Sequence, residues 1–190
     1  MDASWSKLSN DQSKLTFQSR LASFSRSYVD FLMSQNRVEE ALEFADSRRA
    51  RLLAEKMHIP PDTGMERGGL KALAGRLHAV LLSYWLAPQK SWLWVVTASE
   101  IRAFPLPPEP QIRGLVERYS RSILDHREAD LTANPAGREL YQVLIAPAAA
   151  MLPEGSRVVL APDGALHGLN FETLVTTAGR YWLEDAVVEV

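Results

Sequence analysis

The sequence predicts an α/β protein: an N-terminal αα-hairpin followed by an incomplete α/β domain in which an antiparallel meander joins a mostly parallel core sheet. Three observations carry that expectation. Apolar residues recur at three-and-four spacing between Lys14 and Met57, the period of a helix face. Between Val80 and Leu106 the pattern changes to aromatic and β-branched runs with very short connectors. Further on, "RVVLAPD" packs an unbroken apolar run against a turn signal, the mark of a strand buried on both faces in a parallel sheet.

The first helix draws on Leu15, Leu21, Phe24, Tyr28, Phe31 and Leu32 as its apolar positions. It ends at "SQNR", where Asn36 is suited to the left-handed conformation that stops a helix. The second helix, "VEEALEFADSRRARLLAEKM", sets Val38, Ala41, Leu42, Ala45, Leu52 and Leu53 on one face and most of its charges on the other. Such a hairpin cannot bury both faces alone, and in this it is similar to one unit of a tetratricopeptide array, with small Ala41 and Ala45 allowing close approach. No second copy follows at a fixed period. The organisation expected is therefore a tetratricopeptide-like hairpin over residues 1–57, a linker over 58–69, and an α/β region over 70–190. The linker is marked by two prolines and three glycines in "HIPPDTGMERGG".

After the linker a short helix over 70–79 is expected, then strands at Val80 to Leu86, Trp92 to Thr97 and Ile101 to Leu106. Pro105 places the third of these at an edge, since proline cannot donate to a ladder. Ile112, Leu115, Val116, Tyr119 and Ile123 outline a buried helix face. "NPAGRELYQVLIAP" outlines another helix, with Asn134 as N-cap, Pro135 as first helical residue and Pro147 as the interruption. "FETLV" reads as a short helix and "YWLEDAVVEV" as a further strand or hairpin. A parallel sheet that stops on an apolar strand reads as the first part of a longer unit.

Composition narrows the function. At 190 residues and 46% apolar content the chain can bury a core, and its formal charge of −2 provides no field for direct nucleic-acid binding. No apolar stretch reaches membrane-spanning length, so no membrane partner and a cytoplasmic location are expected. The absence of cysteine excludes disulfides, thiolate metal sites and a cysteine nucleophile within these residues. His58, His78, His126 and His167 fall in separate segments with no metal-binding spacing, so neither a metal nor another cofactor is expected. The run "RRAR" shares its helix with several acidic residues and reads as a solvated face. Trp92 and Trp94 share a strand face, which points to core or an interdomain contact.

The stretches "LLSYWLAPQKSWLWVVTASEIRAFPLP", "ELYQVLIAPAAAMLPEGSRVVLAPDGALHGLNFETLV" and "YWLEDAVVEV" together resemble the first half of the CHAT domain, a caspase-like domain often attached to tetratricopeptide repeats. Asn170 stands where that family usually has proline before the phenylalanine of "FETL". The resemblance implies a clan CD-like cysteine peptidase working through a His-Cys dyad. Both dyad motifs lie on later strands in the family and neither occurs up to Val190, so no catalytic residue is assigned.

Asp163 and His167, at the carboxyl end of the expected parallel strand, are the candidate substrate-pocket edge. The competing reading has Asp163 capping its own turn, Gly164 supplying a positive φ and His167 packing locally. A serine triad of Ser156, Asp163 and His167 is disfavoured, because Ser156 precedes the strand and no nucleophile elbow is present. The alternative to a peptidase part is a non-enzymatic adaptor whose hairpin binds a protein partner. An open sheet edge would also favour homodimer formation.

Overall fold

The computed structural model describes the backbone of residues 23–57, 69–125 and 134–189, with side chains over 23–49, 69–124 and 134–189. His58, His126, nearly all of the expected linker, and the side chains of Leu15, Leu21, Leu52 and Leu53 lie outside these. The chain divides into two compact units, Met1–Gly64 and Met65–Val190.

In the first unit a helix over 23–34 (α1) is followed by α2, Val38–Met57. Asn36 adopts φ 58°, as its position at the end of a helix predicted. The amide of Arg37 then bonds the carbonyl of Leu32 at 2.9 Å, and that of Asn36 bonds Met33 at 3.1 Å, which together close a Schellman motif. The helices run antiparallel, with Tyr28 edge-on to Phe44 at 4.8 Å and Arg48 bonded to the buried Ser25. Val29 and Leu32 of α1 are buried, as are Ala41, Leu42 and Ala45 of α2. One expectation is corrected. Phe24 and Phe31 are 64% and 52% exposed, because the buried row of α1 is that of Ser25, Val29 and Leu32.

The second unit begins with α3, Gly69–Leu77, and continues into β1, Ala79–Trp85; β2, Ser91–Val96; and β3, Ile101–Leu106. These three strands pair antiparallel in succession as a meander. Two helices follow, α4 over Glu109–Asp125 and α5 over Pro135–Leu144. The chain then returns in β4, Arg157–Ala161, parallel to β1, and ends in β5, Val187–Glu189, parallel to β4. The result is one mixed sheet of order β3-β2-β1-β4-β5. The class is α/β, and β3 with Pro105 is indeed an edge strand.

Val80, Leu82 and Tyr84 of β1, Leu93 and Val95 of β2, and Val158 and Leu160 of β4 form one apolar cluster with Ile112, Leu115 and Tyr119 of α4 and Leu140 and Leu144 of α5. The opposite face of β1 and β2 is buried too, with Trp94 fully so, and α3 lies against these two strands. β4 differs from expectation. Val158 and Leu160 are buried, but Val159 and Ala161 are only half-buried, because α3 covers β1 and β2 rather than β4.

Helix α5 starts as the sequence predicts: Asn134 Oδ1 accepts from the amides of Ala136 at 3.0 Å and Gly137 at 3.3 Å. Its first turn sits hard against α4. A Cβ on Gly137 would lie 2.9 Å from Tyr119 Cε2. The ring has little freedom to yield, since its hydroxyl donates to the Thr173 carbonyl at 2.9 Å and meets Thr173 Oγ1 at 2.7 Å. Alanine in a helix normally gains about 0.5–1 kcal/mol over glycine, whereas overpacking costs about 1–3 kcal/mol. Gly137→Ala is therefore expected to destabilise the unit by roughly 1 kcal/mol, measured as a lower denaturant midpoint at unchanged m. A stabilised variant would show that α4 and α5 are not in close contact here.

Candidate functional site

In a parallel sheet the residues that can meet a ligand lie beyond the carboxyl ends of the strands. Here that edge is made by the end of β1 and the turn that follows β4. The registered pairs run from Ala79 with Arg157 to Ser83 with Ala161, and Pro162 comes next. Proline has no amide to continue a ladder, so β4 stops while β1 runs on. Asp163 takes over at that point. Its Oδ2 accepts the amide of Leu86 at 2.8 Å, across 77 residues of sequence.

The turn itself is short. Asp163 is extended, its carbonyl accepts from Leu166 at 3.0 Å, and residues Gly164–Gly168 form a 3-10 helix. Gly164 has φ 51°, a conformation that favours glycine, and a Cβ there would come 3.4 Å from Leu86 Cδ1. Leu166 points into the core with no exposed surface, and His167 and Gly168 are exposed. The structure thus brings Asp163 to β1 and leaves His167 at the surface. The carboxylate does not cap its own turn, as the local reading had it; Gly164 does supply the positive φ.

The neighbouring β1–β2 connection is held as firmly. Ala87 donates to Ser91 Oγ at 3.2 Å and accepts from the amide of Glu109, the first residue of α4, at 2.9 Å. Lys90 lies over the ring of Trp92 at 4.2 Å, and Trp92 pairs across the strands with Trp85. Below, Tyr84 is fully buried, donates to the Leu144 carbonyl at 3.1 Å, and has its hydroxyl pushed well above the ordinary tyrosine range by burial. It is a core residue and cannot serve as a proton donor to solvent.

Ser156 lies just before β4 and Asp163 just after it, seven residue steps and so roughly 20 Å or more apart at the rise of an extended chain. No Ser156–Asp163–His167 triad can form. At the Ser156 end there is instead an open cleft of about 190 Å3, in which Arg180 pairs with Asp185 and, at 3.8 Å, with Glu154. Burial, and then the charge of Asp185, raise the Tyr141 hydroxyl there. Sequence reasoning did not find this cleft, because its residues come from α5, the 153–156 turn and the 180–186 segment, with no common motif. Arg180 is shared between the two carboxylates, and Ser156 Oγ is buried without a hydrogen-bond partner. Among the described residues no group of three histidine, aspartate or glutamate side chains could hold a metal ion, and no helix is long and apolar enough to cross a membrane.

Residues 134–190 match the CHAT domain family. The matched segment holds α5, β4, the Asp163 turn and β5, while β1, to which β4 pairs in parallel, precedes it. No curated protein and no solved structure matches the chain.

An exposed residue without a hydrogen bond contributes little to stability. His167→Ala is expected to change the unfolding free energy by no more than about 0.5 kcal/mol. Chemical denaturation measures this, and a loss above roughly 1.5 kcal/mol would show that His167 is a packing residue.

Proposed function

We propose that this chain supplies the scaffold and one rim of the substrate pocket of a caspase-like cysteine peptidase of the CHAT type. The observation that carries the reading is the Pro162–Gly164 turn, which lies within the segment that matches the CHAT family and is bonded to the carboxyl end of β1, the parallel neighbour of β4. In this reading the dyad cysteine comes from polypeptide outside these 190 residues, since the sequence contains no cysteine, and the dyad histidine comes with it, since the family's His-Gly motif lies on a later strand. The histidine would take the thiol proton and leave a thiolate to attack the peptide carbonyl. Asp163 and the turn it carries form the rim beside that pair, with His167 facing the substrate. Residues 1–57 are the tetratricopeptide-like hairpin, 58–69 its linker and 70–190 the beginning of the peptidase domain.

A second reading is supported by Phe24 and Phe31, which stand exposed one above the other on α1. Two large apolar side chains seven residues apart share a helix face and are suited to packing against another protein. On this reading the chain belongs to an adaptor, and the α/β unit is a platform without chemistry.

The two are separated by assaying the full-length gene product that carries this chain, with the 190-residue chain as control, against a fluorogenic peptide library. Turnover that is abolished by a thiol-alkylating reagent is expected from the full-length protein and none from the control. A full-length protein with no such turnover overturns the peptidase reading in favour of the adaptor. Hydrolysis by the control overturns the assignment of the dyad to residues outside it.

A further inference from the structure

We infer that Asp163 is a positioning residue, whose carboxylate stands in for the next rung of the β1–β4 ladder and so holds the 163–168 turn, His167 included, at a fixed place on the rim. The inference rests on the proposed peptidase reading for its functional consequence, but not for the contact itself.

The geometry behind it is a chain of bonds running through one residue. On its side-chain end Asp163 accepts the Leu86 amide at 2.8 Å; on its main-chain end its carbonyl accepts the Leu166 amide at 3.0 Å. One amino acid therefore couples the end of β1 to the 3-10 turn after β4. Leu86 is 7% exposed and Ala87 3%, so an amide released there would have little access to water. The next residue along, Ala87, is bonded to the first residue of α4. Strand end, helix start and turn thus meet at a single junction. Pro162 has no N–H to donate to β1 and so interrupts the ladder just before Asp163, and Gly164 lets the chain turn at φ 51° beside Leu86.

A residue that only lent stability would be replaceable by any change that restored the lost free energy. A positioning residue would not, because a displacement of about 1 Å at a reacting site can cost roughly 100-fold in rate. The conservative amide separates these roles, since Asp163→Asn keeps a side-chain oxygen that can accept from the Leu86 amide.

The test has two arms. In the first, hydrogen exchange of the Leu86 amide is followed in the 190-residue chain. Asp163→Ala is expected to speed it at least about tenfold under conditions where core amides of β1 are unchanged, and Asp163→Asn to stay within about threefold of wild type. Gly164→Ala, which strains the turn but keeps the carboxylate, is expected to speed the same amide. Unchanged Leu86 exchange in Asp163→Ala overturns the inference. The second arm measures kcat and KM in the full-length protein. Asp163→Ala is expected to lower kcat/KM by roughly 10- to 100-fold, with recovery in Asp163→Asn. Wild-type kinetics in Asp163→Ala, despite faster exchange, overturn the positioning role. An inactive wild-type protein counts against the peptidase reading alone, and the exchange arm still decides the contact.

Discussion

The parallel pairing of β1 with β4 is the constraint on which the rest of the α/β unit depends. Parallel neighbours cannot be joined by a tight turn, so the chain must leave β1, travel and return. Here it spends the interval on β2, β3, α4 and α5, and the two helices are what cover the face of the sheet that the pairing creates. β1 is consequently central, with antiparallel β2 on one side, parallel β4 on the other and both faces buried. Burying one Leu side chain contributes about 1.5–3 kcal/mol, so Leu81, Leu82, Leu93 and Leu160 alone outweigh what any surface contact in this molecule can offer. Changes that disturb this pairing should be felt everywhere in the unit.

Charge plays a different part. The ion pairs join partly or fully exposed side chains, such as Arg118 with Glu139 and Arg102 with Glu100, and pairs of this kind add little. Arg157 is better understood through geometry. It bonds Glu189 through two nitrogens at 2.9 Å and the carbonyl of Leu77 at 3.3 Å, which links β4 to β5 and to the end of α3. It adds a side-chain link to the backbone ladder that places the short strand β5 beside β4. The opposite edge of the sheet is defended in another way, by Pro105 and the exposed Arg102 on β3.

The strands of the meander were legible because their signals are local: aromatic and β-branched runs, short connectors and a proline at the edge. Asn36 and Asn134 were legible for the same reason, each acting within a few residues of itself. What could not be read was any relation that depends on which strands become neighbours. Asp163 shows this most clearly, since an Asp before Gly suggests a self-capped turn, and its partner is 77 residues away on a strand whose adjacency no local pattern encodes. Phe24 and Phe31 failed differently. Their spacing fits a helix face, but the row that is buried is Ser25, Val29 and Leu32, whose serine gives no apolar signal and bonds Arg48 of α2.

The distribution of polar groups along β4 bears on where chemistry can occur. At its amino end Arg180 is shared between Asp185 and Glu154, and Ser156 Oγ is buried away from solvent. At its carboxyl end the ladder is broken by a proline and mended by a single carboxylate, while His167 stands exposed on the far side of the same turn. A carboxylate that is already committed to an amide is poorly suited to proton transfer, but well suited to holding the loop on which other groups act. On the proposed reading, residues 157–168 provide the edge and the reactive atoms come from a different segment.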